Sequence, residues 1–157
     1  MSADSKISLN KKNIIVFNVF VVICLIFIPA MASDRYVDNG DGTVTDAKTG
    51  LMWAATDNGE PINWKDARSY CQNYSAGGHT DWRMPNLTEL ESLFNPKAKK
   101  KRGYHINKLI ETSAQSIWAL DTRGYKAARF NFTYGQKYWI RQYYSGPTRA
   151  LPVRSEK

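Results

Sequence analysis

The chain predicts an α+β domain: two short amphipathic helices and a long loop packed on an antiparallel sheet. Three observations carry that expectation. Residues 35–53 are rich in turn formers between extended runs, residues 63–94 hold two helical patterns that each open on an asparagine, and apolar alternation returns between 117 and 153.

The first segment reads as a hairpin. Asn39-Gly40 and Asp41-Gly42 tolerate the backbone angles of a sharp turn, after which Thr43-Val44-Thr45 extends. A second turn at Ala47 to Gly50 returns the chain through Leu51-Met52-Trp53, with Trp53 as a large aromatic anchor. Asp46 is placed to accept backbone N–H bonds in that turn. Next, Asn63 caps a helix with Asp66 at its third position, and Trp64, Ala67, Tyr70, Cys71 and Tyr74 share one face, so the helix is expected to reach about Ser75. Gly77-Gly78 ends it. The connection Asp81-Trp82-Arg83-Met84-Pro85 leads to a second helix that pairs Asn86 with Glu89 and turns Leu87, Leu90, Leu93 and Phe94 inward. From Asn95 to about Ser116 the pattern is that of a long loop, with Leu109-Ile110 as its packing anchor. Ile117 to Leu120 and Ala128 to Phe132 then read as strands, Gly124 and Gly135 as turns. Ala150-Leu151-Pro152-Val153 reads as a last strand, at an edge or a bulge because of Pro152.

Residues 1–32 carry the pattern of a cleavable signal peptide. Lys6, Lys11 and Lys12 precede an apolar run from Ile14 to Ile28, and Ala30-Met31-Ala32 follows as a small-x-small cleavage site. A secreted, periplasmic or envelope location is therefore expected, with an uncleaved signal anchor as the second reading. The remaining domain, 33–157, holds one cysteine, Cys71, on the apolar face of the first helix. Its core is then hydrophobic and without an internal disulfide.

Charge divides the chain of net +8 unevenly. Ser33 to Leu93 carries a balance of −5, and Phe94 to Lys157 one of +11. That asymmetry suits an anionic partner. Its densest part is Lys97-x-Lys99-Lys100-Lys101-Arg102, five cations that cannot neutralise one another. With Arg123 and Lys126 they form the expected ligand-binding set. Tyr134, Tyr138, Trp139, Tyr143 and Tyr144, interleaved with Lys137 and Arg141, suit either stacking on sugar rings or sheet packing.

Other chemistry finds little support. Asp38-Asn39-Gly40-Asp41-Gly42 fails the EF-hand frame, since glycines fall at ligand positions and no glutamate closes it. His79 and His105 lack further ligands at metal-binding spacing. Glu89 and Glu91 face different ways, a poor acid/base pair. No catalytic constellation, metal or cofactor is expected. Arg83, between a tryptophan and a proline, is expected to pair with Asp81 or Glu89.

The run Arg35-Tyr36-x-Asp38-Asn39-Gly40-Asp41-Gly42-Thr43-Val44-Thr45-Asp46, with Thr49-Gly50-Leu51-Met52-Trp53, Trp64-x-x-Ala67-x-x-Tyr70-Cys71, Asp81-Trp82-Arg83-Met84-Pro85 and Glu89-Leu90, resembles the Lcl C-terminal domain family. That family, long a bacterial domain of unknown function, takes its name from the end of a collagen-like adhesin. It is distantly similar to C-type-lectin-like domains and to formylglycine-generating enzymes. The resemblance implies a C-type-lectin-like scaffold without that superfamily's calcium ligands: Glu60-Pro61-Ile62 stands before the first helix, and Trp118-Ala119-Leu120-Asp121 lacks the ligand pair. The formylglycine-type site needs late cysteines, and none follows Cys71. The expected function is an exported, non-catalytic binding module for a sulfated or acidic polysaccharide or other polyanion. The alternative is an assembly subunit of the bacterial envelope that binds a protein partner or its own copies.

Overall fold

A computed structural model describes residues 34–98 and 103–155. The expected signal segment and Lys99 to Arg102 of the basic run lie outside the described residues. Strands β1 (Tyr36–Asp38), β2 (Thr43–Asp46) and β3 (Leu51–Ala54) form an antiparallel meander. Its first turn needs positive φ at Gly40 (75°) and Gly42 (85°), where a side chain would be strained. Asp38 and Asp41 accept bonds from the backbone N–H groups of Gly40 and Thr43, so these carboxylates serve the turn. Asp46 accepts from the Lys48 N–H, as expected, and also holds Arg35 through two nitrogens at 2.8 and 2.7 Å. Trp53 is fully buried.

Helix α1 (Trp64–Gln72) begins at Asn63, whose side chain accepts from the Asp66 N–H. It stops at Asn73, short of the expected Ser75: Asn73 leaves the helical backbone angles (φ −97°, ψ 4°), and the next N–H, that of Tyr74, bonds three residues back to the Cys71 carbonyl instead of four. Helix α2 (Leu87–Leu93) carries the full capping box between Asn86 and Glu89. Glu89 also accepts both terminal nitrogens of Arg83 at 2.8 and 2.6 Å. Asp81 instead binds Arg154 at 2.7 Å.

The expected single antiparallel sheet is two four-stranded sheets, one of them mixed. Strands β4 (Ser116–Arg123), β5 (Lys126–Asn131) and β6 (Gln136–Arg141) run antiparallel, and β7 (Thr148–Arg149) lies parallel to β4. Of the expected last strand, Ala150 to Val153, only Val153 lies in a strand, and Ala150 to Pro152 connect two short ones. The chain leaves the second sheet after Arg149, and β8 (Val153–Ser155) pairs with β3 in the first. Pro152 sits at this switch, where a missing N–H costs no ladder bond while its carbonyl accepts from Ala54.

The second sheet is buried on both faces. Ile117, Ala119, Ala128 and Phe130 pack with Leu87, Leu90 and Leu93 of α2 and with Val44, Trp53 and Val153 of the first sheet. On the opposite face Trp118 and Ala127 meet Ala67 and Cys71 of α1. Residues 103–115, read as a long loop, cross the molecule irregularly but insert Ile106 and Ile110, both fully buried. Among the described residues no helix is long and apolar enough to cross a membrane.

Candidate functional site

The β4–β5 hairpin closes on a two-residue loop, Gly124-Tyr125, with positive φ confined to Gly124. That arrangement matches the twist of the strands it joins. Register then sets Arg123 opposite Lys126, and Lys126 opposite Arg141 on β6. The backbones of three cationic residues thus stand in one row across three strands, roughly 5 Å apart per strand. Like charges placed so closely repel.

Parity fixes the face of the row. Lys126 lies on the same side as Ala128 and Phe130, and so do Arg141 and Trp139, their cross-strand partners. The row is therefore the uncovered end of the face that α2 buries further along. Aromatic rings support it. The Arg123 guanidinium carbon lies 3.9 Å from the Trp139 ring centroid, and Arg141 stacks on Tyr143 at 5.7 Å and donates to its hydroxyl. Tyr125 and Tyr143, 68% and 70% exposed, flank the row.

Nothing acidic among the described residues answers these charges. The ion pairs there join Arg35 to Asp46, Arg83 to Glu89, Lys137 to Glu91 and Arg154 to Asp81. Neighbouring backbone holds the hairpin tip in place: Gln142 donates to the carbonyls of Tyr125 and Gly124, and the Trp64 N–H at the start of α1 donates to the Gln142 carbonyl.

The structure brings Arg123 and Lys126 together and sets Lys97 apart from them. Lys97 is exposed, with its N–H bonded to the Asn95 side chain. The stem of its loop is closed by the Asn95 N–H on the His105 carbonyl, and the His105 N–H bonds to Phe132 just beyond the far end of β5. Lys126 opens that strand, so stem and row are separated by roughly 17 Å of extended chain. Arg141 and Trp139 are partners that the expected site set lacked. Their signal was the alternation Lys137-Tyr138-Trp139-Ile140-Arg141, which suits stacking and sheet packing equally until the register is known.

Two other features compete for attention. A cavity of about 800 Å³ lies beside β1, lined by Arg35, Tyr36, Phe94, Asn95 and Lys108 among others. Its Arg35 is already held by Asp46 and by the Ser92 carbonyl. Elsewhere, buried Asp57 accepts from the Gly59 N–H and from the Ser113 N–H and hydroxyl, and that hydroxyl accepts from Arg149 Nε at 2.6 Å. This is a clasp joining the turn after β3 to the long loop and β7. The row contributes no residue to this cavity or to the clasp.

Fold and surface together define an α+β domain whose motifs are structural: capped helices, an arginine–glutamate brace and a glycine-rich hairpin. Residues 42–154 match the family model of the Lcl C-terminal domain, and the chain belongs to that family. None of the curated proteins compared with the chain matches it.

Proposed function

We propose that this protein is an exported, non-catalytic binding module that recognises an anionic polymer, a sulfated or acidic polysaccharide, on a C-type-lectin-like scaffold. One observation carries the reading: Arg123, Lys126 and Arg141 form a row without carboxylate partners among the described residues, backed by Trp139 and flanked by exposed tyrosines. Several cations gathered on one face favour a polymer with repeated charges over a single anion. Exposed tyrosines add faces on which the apolar side of a sugar ring can rest.

Chromatography on heparin-type and neutral glycan matrices across a salt series tests it. The parent is retained on the anionic matrix only and elutes with rising salt, while the triple variant Arg123→Ala, Lys126→Ala, Arg141→Ala elutes markedly earlier. Absent or salt-independent retention of the parent would sink the proposal.

A further inference from the structure

The first sheet ends on β1, and among the described residues no strand lies beyond it. The alternation of an antiparallel ladder decides which of its backbone groups are used. The Ala47 N–H bonds to the Arg35 carbonyl and the Asn39 N–H to the Thr43 carbonyl, so residues 35, 37 and 39 turn their polar groups to β2. The N–H and C=O groups of Tyr36 and Asp38 therefore point away from the sheet, and no described residue bonds to them. Such an edge is a template for one more strand.

The edge borders the cavity of about 800 Å³, a volume within the range of ligand pockets. Tyr36, Phe94 and Leu109 line it and lie half-buried against the main core, which makes its floor apolar. Arg35 holds Asp46 of β2 and also donates to the Ser92 carbonyl of α2 at 3.0 Å, so two walls of the cavity are tied together. Charge balances across the lining, with Asp34 and Asp38 against Arg35 and Lys108. A polyanion gains no net attraction there, in contrast to the row. The outward backbone groups of β1 recur every second residue, roughly 7 Å apart, which is the repeat of another strand. A sugar would use the floor and leave that repeat unmatched.

We propose that β1 accepts an extended, uncharged polypeptide segment as a fifth strand of the first sheet, with alternate apolar side chains seated over Tyr36, Phe94 and Leu109. Main-chain bonds to Tyr36 and Asp38 give affinity, and the floor selects side chains of one parity. The site shares no residue with Arg123, Lys126 and Arg141, so it operates whether or not the row binds a polymer.

Hydrogen exchange of the full chain, read amide by amide by NMR, tests it with two probes: a capped hexapeptide of alternating valine and threonine, and the same peptide N-methylated at every residue. In the free protein the Tyr36 and Asp38 amides exchange faster than that of Val37, which faces β2. At saturation the hexapeptide slows both about tenfold or more, and the N-methylated peptide leaves them unchanged. Asp38→Pro removes an outward donor and no bond to β2, so it is expected to weaken peptide binding about fivefold with the β1–β2 pairing intact. If that variant fails to fold, the N-methylated probe decides alone. The triple row variant is expected to bind the hexapeptide as the parent does; loss of binding there would place the peptide on the row and overturn the edge site. No slowing at Tyr36 and Asp38 with hexapeptide up to about 1 mM overturns the proposal. So does equal protection by both peptides, protection by maltohexaose in place of the peptide, or slow exchange without peptide that deepens with protein concentration, the mark of two copies pairing through β1.

Discussion

Burial of Asp46 opposes its ionisation, yet the Arg35 fork and the Lys48 N–H more than offset this and hold the carboxyl below its ordinary pKa. Glu89 follows the same logic: burial raises it, Arg83 and the Asn86 N–H lower it further, and the net direction is down. A carboxyl whose folded pKa lies below its unfolded value adds stability above the unfolded pKa, about 4, and loses it as pH falls through the folded one. Thermal midpoints followed by circular dichroism should hold steady near neutrality and fall below about pH 4. Asp46→Asn should cost about 1–3 kcal/mol at pH 7 and flatten that fall; a curve parallel to the parent's would show that another group drives acid unfolding. Cys71 marks the opposite case. Burial pushes its thiol up to about 12. Since the thiolate is the reactive species, a thiol reagent at pH 8 should label the unfolded chain and spare the native one. Stoichiometric native labelling would contradict its core position.

Helix α2 concentrates several roles in its first turn. Asn86 caps the Glu89 N–H, Glu89 returns to the Asn86 N–H, the same carboxylate braces Arg83, and Asp121 accepts from Leu87. Asn86→Ala should therefore cost about 1 kcal/mol, seen as a lower urea midpoint with an unchanged slope. A change within about 0.3 kcal/mol would mean that Glu89 and Asp121 suffice without the cap. Both helix starts were legible in the sequence because a cap is a bond between residues three apart. The meander was legible for a similar reason, its glycines marking turns only a few residues wide. Strand pairing was harder to read. Nothing local to Thr148-Arg149 says that it lies parallel to β4, and nothing in Val153-Arg154 names β3 as its partner. The pairing of β8 with β3 joins residues about a hundred apart in the chain, Trp53 with Val153 among them. The site shared that limit: Arg123 and Lys126 could be paired across a glycine turn, but Arg141 joins them only through the β5–β6 register.

At the scale of the molecule, the charge asymmetry of the sequence becomes geography. The start of α1 is tied through Gln142 to the basic hairpin tip, while at its other end Gly77 lies against Asp41 of the β1–β2 turn. Helix α1 spans nine residues, so the acidic turn and the cationic row lie at opposite ends of an axis of roughly 14 Å. The stem of the basic loop occupies a third place, beyond the far end of β5. On the proposed reading, a loop whose stem stands this far from the row would act on a polymer as a second, independent anchor, because contacts more than about 10 Å apart with no shared partner add. Neutralising Lys97, Lys99, Lys100, Lys101 and Arg102 together, or the row alone, should each lower the salt needed to elute the protein from a heparin-type matrix. The combined variant should show the sum of the two shifts. Long chains should also bind more tightly than short oligomers, since one chain spanning both anchors gains effective concentration. If the combined shift merely equals the larger single one and chain length has no effect, loop and row share one small site.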